Sequence, residues 1–205
     1  MNRVVPPKEF IGAALRLYEV PAGHRFCRIH LSRYSDPLGF GKTPSRFSDP
    51  RRRRPANRFG VLYLGSTIEV AFLEAVLRDQ RDGAIGDLPI AEAELHNRCY
   101  ADIEVTEPLQ MVDLRENGPV VMGVPTDVAR ASSQTLARTW ALAFHEHQQR
   151  PDGIIYPSRL NGQTNLAVFD RAIIKLRKVQ KVKLIDAPGL VMVLNNLRVC
   201  IVSPD

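Results

Sequence analysis

Four places in the chain combine residue types that act together on anionic ligands. Arg28 lies in FCRIHL, residues 26–31, where apolar and polar side chains alternate as in a strand. A guanidinium half-buried on such a strand needs a carboxylate or phosphate partner, and its planar fork suits both. A structural ion pair is the plainer reading of Arg28. Arg46 sits in SRFSDP, between Ser45 and Phe47. An arginine among hydroxyls and loop N–H groups can hold a pyrophosphate, and the plainer reading is a solvated turn. Tyr63 lies in GVLYLG, and Glu74 follows eleven residues later in STIEVAFLEAVLRD. The strand fixes the tyrosine ring and the helix brings the carboxylate back toward it. Glu74 and Arg78 are also four apart, the spacing of a surface ion pair. Ser158 ends the strand of DGIIYPSR, where a serine either binds a ligand or starts a turn.

Other chemistries lose their support. His145 and His147 are two apart on a predicted helix, on different sides, which is poor spacing for one metal. GxSxG, GxxxxGK[ST] and GxGxxG are absent, so serine hydrolase, P-loop and Rossmann readings fall away. Cys27, Cys99 and Cys200 are odd in number and far apart. They read as buried free thiols in a reducing compartment rather than a disulfide framework or a zinc site.

The elements that must position these residues follow from periodicity. Residues 1–8 read as a loose leader and 9–18 as a short helix. Residues 32–57, punctuated by Pro37, Gly39, Gly41, Pro44, Pro50 and Pro55, form a loop long enough to suggest function. A strand at 60–65 leads into a helix at 66–79. Ser66 and Glu69 have capping-box spacing there, and Ile68, Phe72, Ala75 and Val76 share an apolar face. A loop at 81–90 precedes strands at 98–105 and 109–114. Residues 127–149 read as one helix with Leu136, Trp140 and Phe144 along one side. Strands follow at 154–157, 165–170 and 181–186, then a helix at 188–196 and a strand at 197–202. Irregular alternation of strands and helices predicts an α+β domain with a mixed sheet and flanking helices, not a doubly wound parallel sheet.

The chain has 205 residues and a net charge of +6. That length suits a single domain, 1–205: an N-terminal extension (1–25), a core at about 26–170, and a C-terminal part (171–205) that completes it. The charge favours an anionic partner. No apolar run of 18 residues and no clean signal-peptide core are present, so the protein is expected in the cytoplasm and off the membrane. Arg51–Arg54 are contiguous, so their side chains must splay. They read as a solvated or partner-facing insertion. A nucleic-acid-binding module is the non-enzymatic alternative, resting on charge and this run, without a helix-turn-helix, zinc or RRM-like pattern behind it.

In order, FCRIHLSRY, SRFSDP, FGVLYLGSTIEVAFLEAVLRD and DGIIYPSRLNGQTNLAVFD resemble the RES domain family, over roughly residues 26–170. The family is named for its Arg, Glu and Ser and includes the toxins of RES–Xre toxin–antitoxin pairs. The resemblance implies a fold like that of ADP-ribosyltransferase toxins and consumption of NAD, with no metal. It assigns the family's Arg, Glu and Ser to Arg28, Glu74 and Ser158. Arg46 matches the arginine of the family's GRWN-like loop, Tyr63 its strand tyrosine, and Arg78 a further NAD-touching position. Glu74, Tyr63 and Arg28 would be catalytic; Arg28, Arg46, Tyr63, Arg78 and Ser158 would hold NAD. Phe47 stands where the family usually has Trp, and Ile29 where some members have Tyr. The implied reaction is cleavage of the nicotinamide–ribose bond, with water, phosphate or a protein side chain as acceptor. These give a glycohydrolase, a phosphorolase and an ADP-ribosyltransferase respectively. The implied partners are NAD, an Xre-family antitoxin and a second copy of the chain. A catalytically silent RES domain is the remaining alternative, and the joint presence of Arg28, Tyr63, Glu74 and Ser158 argues against it.

Overall fold

In the computed structural model, residues 5–52, 54–78, 80, 83 and 85–203 are described. The strands are β1 (Leu17–Val20), β2 (Arg25–Leu31), β3 (Val61–Gly65), β4 (Leu88–Ala91), β5 (Arg98–Val105), β6 (Leu109–Asp113), β7 (Gly153–Pro157), β8 (Thr164–Phe169), β9 (Leu176–Lys183) and β10 (Val199–Val202). Eight of them form a sheet in the order β1-β6-β7-β8-β3-β2-β5-β9, and β10 and β4 form a small second one. In the large sheet β6 and β7 run parallel and the other neighbours antiparallel. The fold is α+β with a mixed sheet, as the irregular strand spacing predicts.

Alternation along the central strands sorts the core. Leu62, Leu64, Ile155, Leu166 and Val168 pack on one face of the sheet. Val61, Ile154, Tyr156, Ala167 and Phe169 pack on the other. The second face is covered by α5 (Thr135–His145), whose Ala137, Trp140, Ala141 and Phe144 are buried. A third cluster joins α1 (Ile68–Phe72) to α6 (Leu190–Asn196) and to β5 through Phe72, Val193 and Tyr100.

Several elements differ from the sequence expectation for physical reasons. Residues 9–18 are not a helix: a 3-10 turn at Lys8–Gly12 gives way to β1 on the sheet edge. Phe10 anchors the turn, edge-on to Trp140 at 4.9 Å; of the leader expected at 1–8, residues 1–4 lie outside the described residues. The N-cap of α1 is Thr67, whose Oγ1 accepts from the Val70 N–H at 3.2 Å; Ser66 does not cap it. The segment 127–149 is α4 (Asp127–Arg130) and α5, broken at residues 131–134, which include Ser132 and Ser133, a residue type that disfavours helix interiors. β4 and α2 (Glu92–His96) start in and just after the predicted loop at 81–90. A short α3 (Gly118–Val121) also escaped the periodicity. β9 begins five residues before the predicted strand at 181–186, and Leu184–Asp186 is a 3-10 turn. Its exposed Arg177 and Lys178 hide it as a strand and suit an outer edge. Of the cysteines only Cys99 is buried; Cys27 is half-buried and Cys200 exposed, and none is disulfide-bonded.

One irregularity of the large sheet shapes a cleft. β2 and β3 share a single registered pair, Cys27 with Gly65. At the other end of β3, Val61 bridges instead to Gly41 of the long loop. The two strands therefore diverge, and a cleft opens between them.

Candidate active site

The cleft is a pocket of about 460 Å³, within the range of small-molecule sites. It is walled by Cys27–Ile29 of β2, by Val61, Tyr63 and Gly65 of β3, by the loop from Gly41 to Arg46, and by Glu74 and Arg78. Five of the six residues singled out in the sequence, Arg28, Arg46, Tyr63, Glu74 and Arg78, line it directly. The sixth, Ser158, is buried behind it and reaches it through Glu74.

Strand register explains the convergence. Ile154, Ala167 and Tyr63 form one row across β7, β8 and β3, and Tyr156, Asn165 and Gly65 form the next, two residues on. Both rows point to the same face. Ser158, two residues past Tyr156, lies just beyond the end of β7. Gly65 allows α1 to approach: a Cβ there would lie 2.8 Å from the Ala71 backbone nitrogen. The helix following β3 thus folds straight back over this face.

Glu74 does not sit on a regular α-helix. α1 widens into a π turn at Leu73–Leu77, a distortion common at functional sites. Glu74 Oε1 accepts from Ser158 Oγ at 2.8 Å and from Asn165 Nδ2 at 2.9 Å. Both donors are buried, Ser158 to 4% and Asn165 to 3% exposure. Ser158 Oγ is itself oriented by the Leu160 N–H at 3.1 Å. Among the described residues no donor reaches Oε2, so one carboxylate oxygen is clamped and the other remains for a ligand. The ion pair suggested by Glu74–Arg78 spacing does not form; Arg78 Nε donates to the Glu74 backbone carbonyl at 2.9 Å. Arg78 ends the π turn with φ of 41°, a strained conformation for a non-glycine residue at the pocket wall.

Arg28 turns its guanidinium into the loop, where Nη1 donates to the carbonyls of Pro37 and of Gly39, the latter at 2.7 Å. Among the described residues no carboxylate comes within ion-pair distance of it. Burial, offset in part by Asp36, lowers its pKa to about 10, so it stays cationic at neutral pH. A half-buried cation held by carbonyl dipoles, with Asp36 acting on it only from beyond ion-pair distance, favours an incoming anion. The ion-pair reading of Arg28 is therefore not what the structure contains.

The Ser45–Asp49 turn of the long loop is anchored to the domain, not solvated. Phe47 is fully buried and packs edge-on against Tyr156 at 4.8 Å. The Tyr63 hydroxyl accepts from the Phe47 N–H and shares a hydrogen bond with Ser45 Oγ, each at 2.9 Å. Burial holds its phenol above the ordinary value despite these bonds. Arg46 Nη1 donates to the Ala131 carbonyl at 2.8 Å, which is available because the helix breaks there. Arg51 is not part of a solvated tetrad. It grips Asp49 through Nε and Nη2 and reaches Glu146 at 2.6 Å. Asp49 is buried, and although burial opposes its charge, Arg51 keeps its carboxyl below the usual range. Arg52 and Arg54 are exposed, and Arg53 lies outside the described residues.

Asn165, Tyr156 and Gln134 also belong to the site and escaped the sequence reading. Their signal lies in strand register and in a helix break, which a linear pattern does not carry. Among the described residues no group of three or more His, Cys, Asp or Glu could hold a metal ion.

A profile of the family described as the RES domain matches residues 16–187. A protein of Sinorhizobium fredii (strain NBRC 101917 / NGR234) named "Probable toxin y4kH" is 44% identical over 110 residues, covering 54% of this chain and 87% of its own length. A chain from the crystal structure of the M. tuberculosis MbcT–MbcA toxin–antitoxin complex matches with a TM-score of 0.64. That match covers 93% of this chain and 95% of the other at 17% identity, and shows a shared fold.

Proposed function

The chain belongs to the RES domain family, and from that membership we propose that it is an NAD-consuming toxin that breaks the nicotinamide–ribose bond. The observation that carries this reading is the clamped carboxylate of Glu74, in one pocket with three arginines, among them Arg28, which has no ion-pair partner among the described residues. In the attached state nicotinamide is a flat cation, and the Tyr63 ring offers a π face to it. Arg28, Arg46 and Arg78 take the pyrophosphate through charge-assisted hydrogen bonds. As the carbon–nitrogen bond breaks, its electron pair leaves with nicotinamide, and positive charge develops on the ribose. Glu74 stabilises that charge through the oxygen left open by Ser158 and Asn165, and hydrogen-bonds a ribose hydroxyl.

The acceptor is water or phosphate in this reading, with a protein side chain as the transferase variant. An antitoxin, of the Xre type in this family, would restrain the activity in the cytoplasm. The M. tuberculosis protein of the same fold is named in complex with an antitoxin, which supports a protein partner here.

The test is nicotinamide release from NAD by the purified protein, with and without inorganic phosphate. Release in both conditions supports glycohydrolysis, and release only with phosphate supports phosphorolysis. Release accompanied by label transfer from NAD to protein marks the transferase. No release and no NAD binding would refute the proposal.

A further inference from the structure

Tyr156 is a second tyrosine at this pocket, and its hydroxyl is in a different condition from that of Tyr63. The residue is 6% exposed and lines the cleft. Its ring is fixed by Phe47 and by the core beneath α5. Among the described residues its hydroxyl has no hydrogen-bond partner. It is also not among the fully enclosed orphan atoms, which are His30 Nε2, Arg58 Nε, Arg98 Nε and His145 Nδ1. A hydroxyl with neither a partner nor full enclosure retains access to the space its residue lines, which is the cleft.

Three polar groups of this wall are already committed. Tyr63 is bound to the loop, and Ser158 and Asn165 are bound to Glu74. Leaving a largely buried hydroxyl unpaired is unfavourable, and Phe would pack equally well on Phe47. The surroundings also dictate what the group can do. Burial, Tyr63 and Glu74 hold its phenol well above the ordinary value, against the pull of Arg46 and Arg78. At neutral pH it is a proton-bearing donor, not a base.

We infer that Tyr156 is a substrate-contacting residue whose hydroxyl donates a hydrogen bond to an oxygen beside the bond that Glu74 acts on. The inference rests on the NAD-cleaving reading. Two oxygens of the proposed reaction have the right chemistry: a hydroxyl of the nicotinamide-side ribose, and the incoming water or phosphate. Both are acceptors that a fixed neutral donor would orient.

The experiment is Tyr156→Phe, measured for NAD turnover, for NAD affinity by calorimetry in a Glu74→Gln background, and for thermal melting. We expect a melting temperature equal to or above that of the parent, because the hydroxyl makes no bond in the free protein. We expect kcat/KM to fall tenfold or more. Weaker NAD binding would assign the contact to the ribose; unchanged binding with lower kcat would assign it to the nucleophile. Parental kcat/KM in Tyr156→Phe would overturn the assignment and leave the NAD reading standing. A parent that neither binds nor consumes NAD would overturn both.

Discussion

In the proposed reaction Glu74 has the central role, and Ser158 and Asn165 are expected to act with it as one unit. Glu74→Gln keeps the size and one acceptor oxygen but removes the charge. We expect a native fold by circular dichroism and a loss of about 10²–10³ in turnover. A variant that consumes NAD at the parental rate would remove Glu74 from the mechanism. Ser158→Ala and Asn165→Ala each delete one hydrogen bond to a charged group, worth about 1.5–3 kcal/mol. If that clamp strengthens in the transition state, each should lower kcat about ten- to hundredfold with little change in KM. Both act on Oε1, so the double variant should lose less than the product of the single losses. Independent, multiplying losses would show that they serve different functions.

At the scale of elements, the site depends on how closely the first helix rides over β3. Gly65 sets that distance, and a methyl group there collides with backbone, which cannot rotate away. Gly65→Ala should cost about 1–3 kcal/mol by overpacking. It should also reduce NAD turnover, because the strain pushes α1 and its π turn away from Ser158 and Asn165. Urea denaturation and steady-state kinetics on the same preparation check both effects. Lost stability with unchanged kcat would mean that Glu74 is positioned independently of the α1 approach. The break between α4 and α5 has a similar role, since a continuous helix would have used the Ala131 carbonyl that now receives Arg46.

The whole molecule carries a pH dependence away from the pocket. His145 is stacked on Phe59 at 4.2 Å, and its Nδ1 is buried without a partner. Burial, together with Arg171 and Arg51, lowers its pKa from 6.5 to about 4, against the smaller opposing effects of Asp170 and Asp49. Above pH 6.5 the ring is neutral in both folded and unfolded chains, and stability is complete. As pH falls from 6.5 toward 4 the unfolded chain takes up a proton that the folded chain refuses. Stability should therefore drop through that window, by a few kcal/mol at most. Thermal melts between pH 7.5 and about 4.5 should show the parent losing stability more steeply than His145→Gln, which cannot titrate. Equal slopes in the two proteins would place the pH sensitivity elsewhere.

The local patterns carried much of this protein. Alternation announced β2 and a short apolar run β3; helical periodicity announced the helix after β3; and the RES-like segments picked out Arg28, Arg46, Tyr63, Glu74, Arg78 and Ser158. These are near-neighbour properties, set by which side chains a strand or helix presents to its core. What depends on distant pairing was not legible. The capping residue shifted to Thr67, the helix at 127–149 broke, and the first five residues of an edge strand rich in Arg and Lys passed as loop. Arg51, one of four like residues in sequence, became an internal clamp because Asp49 and Glu146 met it in space. The sequence by itself determined which groups were available for chemistry. Only the tertiary structure decided that the sheet parts after Cys27 and Gly65, and that Asn165 and Tyr156 share Glu74's face. Strand register, fixed by burial on both faces of the sheet, is a property of the assembled whole.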